Sequence, residues 1–385
     1  MEKIIEELLT TDTPWESFKE NYYSAQDIRL FCFDNEINNF GMDFTSKQID
    51  KYIVHSFSSL ENTLVIDKYN FESYFRKIKV HRCFDFDSNI ISYLRNYLVY
   101  KQIDPSFKKL LVYLKSSGAQ ISCSPYILEA GANRHDVDTE FIFESVVSFF
   151  AFDKAQSIEE FDSYSFDTIK NDSEIVKNVS RVMQAIKVDV PLLQLPQYHL
   201  IYCLLLKIYE INFKSKKSAK NKMLELLECV NKELFAYTEN ELYIAYLFFD
   251  KDERISSFFG GIKETSNNVI SKINAMAWDL LHLRNLETQV ASRNSESKDV
   301  FFHFFCSHDF GINNILNLNP IKRLAIVNNT CYPIRENNIT QLEFGVQIID
   351  SLKMYKNYRD ENREKVNLKK VSEKYEKSLM EVLEK

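Results

Sequence analysis

The sequence predicts an α/β fold, a parallel sheet flanked by helices with a mainly helical insertion, and three observations lead there. Glycine and proline number only seven each in 385 residues, against a usual background of roughly 12% for the pair. Sandwiches and barrels need many tight turns, so this scarcity points to helices joined by short polar loops. Twice, an apolar run ends in a polar turn and leads directly into a helical pattern, the step from which parallel sheets are built. Finally, the stretch from about 141 to 265 carries apolar residues at helical spacing.

Composition narrows what such a fold can do. With 45% apolar and 14% aromatic residues the chain can bury one large core or several modest ones. Forty-eight basic against 55 acidic side chains leave a formal charge of −7. No overall positive field draws in nucleic acid or anionic lipid, so such a partner needs a local patch. The seven cysteines (Cys32, Cys83, Cys123, Cys203, Cys229, Cys306, Cys331) are odd in number and far apart. They read as reduced thiols of a cytoplasmic protein. The amino-terminal stretch Met1 to Glu7 lacks the basic-then-apolar order of an export signal. The apolar run Leu200 to Leu206 stops at Lys207, far short of a bilayer. The expectation is therefore a cytoplasmic protein without a membrane partner.

Along the chain, residues 1–79 read as a helical region. Thr13-Pro14-Trp15-Glu16 is a helix start with a capping hydroxyl, a first-turn proline and a capping-box glutamate in order. At Val80 the character changes. Val80 to Phe86 reads as a buried strand running into Asp87-Ser88-Asn89 and a helix to Tyr100. Gln120 to Cys123 reads as a second strand, with Ser124 as cap and Pro125 at the first helical position. Between 141 and 265, Tyr198 to Phe213, Lys220 to Phe235 and Glu239 to Phe249 each read as helices, and Gly260-Gly261 ends the block. A long helix from Asn268 to Ala291, a strand Val300 to Cys306, a helix Phe310 to Leu318 and a strand Arg323 to Val327 follow. Lys353 to Lys385 reads as one helix of mixed charge. The expected division is 1–79, a functional domain over 80–330 with its insertion at about 141–265, and 331–385.

Acids fall at the ends of the strands. Strand side chains alternate, so Asp85 and Asp87 share one face while Phe84 and Phe86 share the other. Burying a carboxylate at the end of an apolar strand costs several kcal/mol unless a cation or hydrogen-bond donors answer it. Asp309 repeats the arrangement after the aromatic strand at 300–306. Ligands of open parallel sheets bind at the carboxyl ends of the strands, where Asp87 and Asp309 converge if their strands are neighbours. Glu129 lies early in the helix after the second strand, and Asp279 lies among Met276, Ala277, Leu280 and Leu281 on a helix face that packs inward. Asp87 also stands where a helix cap would, and capping is its other reading. An oxygen-rich group of this kind selects Mg²⁺ or Mn²⁺.

At these residues the sequence resembles the PIN-like domain nucleases. That pattern is an apolar strand ending in Asp-x-Asn, a glutamate early in the second helix, an aspartate in a later helix, and an aspartate just after a strand. Here it reads Phe86-Asp87-Ser88-Asn89, then Tyr126-Ile127-Leu128-Glu129, then Trp278-Asp279-Leu280, then Cys306-Ser307-His308-Asp309. The resemblance covers roughly 80–135 and 268–330, and it treats the long stretch between Glu129 and Asp279 as an inserted helical module. It implies a three-layer PIN-like core in which Asp87, Glu129, Asp279 and Asp309 are catalytic and bind Mg²⁺ or Mn²⁺. Asp85 is a further metal-ligand candidate, Asn89 supports Asp87, and Ser307 lines the site. The implied chemistry is metal-assisted phosphodiester hydrolysis, of RNA ahead of DNA, in a toxin-like or antiviral defence effector.

Other constellations carry less. His282 shares the helix face of Asp279, and with Arg284 it is a candidate phosphate contact. Lys216 and Lys217 belong to the dense basic run from Lys214 to Lys222, which reads as a phosphate-tracking patch or as a solvated helix start. His303, Cys306 and His308 lack a second Cys/His pair at zinc spacing, so a zinc site is not expected. Neither a G-x-x-x-x-G-K nor a G-x-G-x-x-G occurs, which argues against a nucleotide-driven motor or a dinucleotide enzyme. The alternative to a nuclease is a catalytically degenerate PIN-like scaffold that binds a partner through its helical block. A protein inhibitor or activator and self-association stay open.

Overall fold

The structure is a computed structural model that describes residues 1–34, 45–56, 63–71, 79–132, 138–193, 195–295 and 297–384. It is a mixed α/β protein whose chain divides into two compact units. The first comprises Met1–Gln194, Leu283–Asp309 and Ile321–Ile334; the second comprises Leu195–His282, Phe310–Pro320 and Arg335–Lys385. No helix among the described residues is long and apolar enough to cross a membrane.

The first unit holds two sheets. In chain order the strands are β1 (Arg29–Cys32), β2 (Lys47–Ile49), β3 (Tyr52–His55), β4 (Leu64–Ile66), β5 (Val80–Phe86), β6 (Gln120–Ser122), β7 (Val300–Ser307), β8 (Ile321–Val327) and β9 (Thr330–Arg335). One sheet has the order β2-β3-β7-β5-β6. Its centre is parallel: β5 pairs with β7 in the register Phe86↔Cys306, and with β6 in the register Asp85↔Ser122. On the far side β3 joins β7 antiparallel, with Ile53 opposite Ser307. The expected parallel core is present, and an antiparallel hairpin extends it.

Alternation gives this sheet two unlike faces. Phe84, Phe86, Phe302, Phe304 and Cys306 form an apolar face on which Tyr113 meets Phe84 and Phe149 and Phe152 meet Phe86. These rings come from the helices Pro105–Ser116 and Thr139–Lys154. The opposite face carries Cys83, Asp85, Asp87, His303 and Ser307. Arg293, near the end of the helix Val269–Asn294, reaches this face and donates to Gln120 at 2.7 Å and to the Cys83 sulfur at 3.4 Å.

The second sheet, β4-β1-β8-β9, was not expected. The reading of 1–79 as helical holds only to Ala25, after which four short strands intervene. The strand expected at 323–327 forms as β8, but it pairs antiparallel with β1 and so lies outside the parallel sheet. The core on one face of this sheet is Ile5, Leu8, Leu9, Phe18, Ile28, Leu30, Leu64, Ile66, Ala325 and Val327, covered by the helices Glu2–Thr10 and Pro14–Glu20. On the other face Phe31 stacks with Phe33, whose ring meets Phe302 of the first sheet edge-on at 5.9 Å.

The second unit is helical. The helix Pro196–Lys214 packs along Leu368–Leu383, and Tyr209 donates to the Phe259 carbonyl at 3.0 Å. Glu210 is buried on that contact. Lys207 at 3.1 Å, Lys214 and the Ser378 hydroxyl at 2.8 Å answer its charge. The stretch Lys353 to Lys385, read as one helix, holds the end of the helix Gly345–Met354 and then two separate helices, Lys356–Asn362 and Leu368–Leu383.

Candidate functional site

The site begins where β5 stops. Asp87 occupies the position before the helix Ser88–Tyr100, with an extended backbone and its own N–H bonded to the Cys306 carbonyl of β7 at 3.1 Å. That bond ties the two strand ends together. The Asp87 side chain makes no capping hydrogen bond. It is 6% exposed, and its Oδ2 accepts from the Asn89 amide at 3.2 Å and from the Ser307 hydroxyl at 3.1 Å. Ser307 in turn accepts from the Asp309 N–H at 2.9 Å. Asp87, Asn89, Ser307 and the Asp309 backbone thus form one connected group across the ends of two neighbouring parallel strands.

Glu129 joins this group through Ser88. The helix Ser124–Ala132 leaves β6 on the side of β5 away from β7 and carries Glu129 back toward the same strand ends. The Ser88 hydroxyl donates to Glu129 Oε2. One residue, set between Asp87 and Asn89, therefore links the first acid segment to the second. Gly131 lets the helix lie close to its support, because a Cβ there would stand 2.6 Å from the Val190 Cβ.

Asp85, the further metal-ligand candidate, is engaged one step deeper in the sheet. It is fully buried, and its Oδ2 lies 2.8 Å from His303 Nδ1. Burial acts to lower the His303 pKa, but hydrogen bonding and charge from Asp85, with a contribution from Cys83, prevail and raise it to about 9. At neutral pH His303 is an imidazolium held against Asp85. The negative field of this face is also felt by the thiols around it. Burial pushes Cys306 well above its ordinary value, and the charges of Asp85 and Asp87 push it further. Burial raises Cys123 to about 12, with a smaller contribution from Asp85.

Asp279 and His282 lie on the long helix in its part assigned to the second unit, where the Trp278 ring packs against Tyr198 and His282. Arg284 falls in the first unit and pairs with Glu287 at 3.2 Å. Lys216 and Lys217 belong to the second unit. Their basic run is partly neutralised, since Lys217 pairs with Glu225 at 3.0 Å and Lys214 with Glu210. The site described here is built from residues of the first unit alone.

Ser88 was not singled out from the sequence, and His303 entered only as part of a zinc pattern that was not expected. Ser88 had a signal, its place between two named residues. The partnership of His303 with Asp85 needs the register of β5 on β7, which brings together residues from distant parts of the chain.

The donor set is of the kind that Mg²⁺ or Mn²⁺ takes, carboxylate oxygens backed by amide and hydroxyl, since these ions bind through one or two carboxylates and keep waters for phosphate. Among the described residues no group of three or more His, Cys, Asp or Glu side chains stands ready to hold an ion. The fit thus lies in the chemistry of Asp87 and Glu129 with Asn89 and Ser307. No family model matches the chain, and no significant match is found among curated proteins or solved structures.

Proposed function

We propose that the first unit carries a divalent-metal-dependent nuclease site of the PIN-like kind that hydrolyses phosphodiester bonds, of RNA ahead of DNA. The observation that carries this reading is the state of Asp87. A residue standing where a helix cap would stand leaves the cap unmade and turns its buried carboxylate to Asn89 and Ser307. A structural cap would have done the opposite. Glu129, one hydroxyl away through Ser88, supplies a second carboxylate at the same strand ends.

In this reading Asp87 and Glu129 hold the ion, with Asp309 beside them. The ion, when bound, lowers the pKa of a coordinated water and offsets the charge that develops on the phosphorus oxygens. Asn89 and Ser307 donate to Asp87 and so fix the direction of its carboxylate. Ser88 does the same for Glu129. The buried Asp85–His303 pair lies behind them and keeps its own charges balanced. The protein's own work is thus ligation and orientation, with no side-chain nucleophile.

The test is cleavage of end-labelled single-stranded RNA by the full chain with Mn²⁺, beside Asp87→Ala, Glu129→Ala and Asp309→Ala. The reading expects cleavage by the wild type, abolished by chelation and reduced to background in the Asp87 and Glu129 variants. Equal cleavage in wild type and variants overturns it. Absence of cleavage by the wild type turns the reading to the scaffold alternative.

A further inference from the structure

A cluster of aromatic rings borders the acidic group in the same unit. Tyr93 lies one helical turn beyond Asn89, so the two share a face of the helix Ser88–Tyr100. His308 lies between Ser307 and Asp309, both part of the acidic group. The Tyr93 and His308 rings stand 6.2 Å apart and are inclined at 67°. Beneath them Tyr52 meets His308 at 5.3 Å and Tyr93 at 5.7 Å. Phe107 lies against both tyrosines, at 5.5 and 5.6 Å.

These four rings are not equivalent. Tyr52 and Phe107 are almost completely buried, at 0% and 1% exposure. Tyr93 and His308 are half-buried. The buried pair forms a floor, and the other two lie nearer the surface.

We infer that the Tyr93 ring, braced edge-on by His308, is a stacking platform for a nucleobase of a single-stranded nucleic acid whose backbone runs past Asp87. Every base has a π-face, so a platform of this kind accepts many sequences and requires an unpaired strand. The geometry suits a flanking base, since the rings lie one helical turn from Asn89 on one side and beside Asp309 on the other. A base seated there holds the neighbouring phosphate near the carboxylates without touching them. Tyr93 and His308 are then positioning residues, and they select single strands over duplexes. Their assignment to substrate rests on the nuclease reading of the same site, but the binding they predict is measurable without cleavage.

The experiment is fluorescence anisotropy of a short end-labelled single-stranded RNA with the full-length protein, without added divalent ion. The same RNA carrying a run of abasic positions, and a DNA of the same sequence, are the further probes. Tyr93→Leu is expected to weaken binding about tenfold, in line with the loss of one stacked base, whereas Tyr93→Phe, which keeps the ring, binds as the wild type does. The abasic RNA loses about as much on the unmutated protein, and it loses little more on Tyr93→Leu. The two losses therefore do not add. RNA and DNA respond alike, because the ring reads the base.

Binding by Tyr93→Leu equal to wild type overturns the platform. So does an abasic penalty of the same size in both proteins, or no binding by the wild type. The abasic arm uses the unmutated protein and is independent of any folding defect in a variant. Base-dependent binding without Mn²⁺-dependent cleavage leaves the platform standing and removes the nuclease. Cleavage by Tyr93→Leu with unchanged KM does the reverse.

Discussion

Asp85 and Asp87 stand two residues apart on one strand face, yet they meet different partners. Asp85 faces the His303 imidazolium, whereas the Asp87 carboxylate accepts from the Asn89 amide and the Ser307 hydroxyl. The His303 pKa is raised from 6.5 to about 9, so its contribution to stability is complete below its ordinary value and is lost as pH rises through 9. The unfolding free energy from denaturant titration is expected to fall between pH 6.5 and 9.5, by an amount on the order of 3 kcal/mol. The double variant Asp85→Asn/His303→Gln should lack that slope. A wild-type unfolding free energy that stays flat over this window contradicts the raised His303 pKa. Ser307→Ala removes one of the donors to Asp87, and isothermal titration should show Mn²⁺ affinity lower by about 10- to 100-fold. The shared face of Asp85 and Asp87 was legible from strand alternation. Their partners were not, because a sequence shows alternation along a strand but not which distant strand lies beside it.

Whole elements show the same division. Val80–Phe86, Glu239–Phe249 and Phe310–Leu318 form with the bounds that apolar spacing and turn residues imply. The strands β1, β3 and β4 are three or four residues long and buried throughout. They lack the polar-apolar alternation that marks a strand, and their apolar residues fit a helix face equally well. Only tertiary pairing decides the matter, and for β1 the partner β8 lies at the far end of the unit's sequence. Arg29 fastens that sheet. Buried at 4% exposure, it donates to Asp67 at 2.7 Å, to Asn294 at 3.1 Å and to the carbonyls of Ser297 and Asp299. Arg29→Met leaves Asp67 buried without its cation, and chemical denaturation should report a loss of about 3–5 kcal/mol. Gly131→Ala drives a methyl group into Val190 and should cost about 1–3 kcal/mol in the same assay. Because this helix carries Glu129, activity should fall with stability.

Over the whole molecule the cysteines give the simplest check. Six of the seven are buried and Cys331 is half-buried, with all seven free. Burial raises Cys32 and Cys229 to about 12, which removes the reactive thiolate at neutral pH. Titration of the native protein with an aromatic disulfide reagent should therefore modify about one thiol promptly and the remainder only in denaturant. Rapid reaction of several thiols contradicts the packing of both units. Composition anticipated this burial, since odd, dispersed cysteines in apolar runs have no disulfide pattern. It could not anticipate the division into two units, because each is assembled from separated stretches and the boundary falls within the continuous helix Val269–Asn294.

The central claim is that acids brought to the ends of β5 and β7 act together as one divalent-ion site. Isothermal titration of the full chain with Mn²⁺ tests it most directly. Saturable binding by the wild type that is lost in both Asp87→Asn and Glu129→Gln, with folding retained in each, is the predicted result. Mn²⁺ binding that survives both substitutions unchanged, or no binding by the wild type, contradicts it.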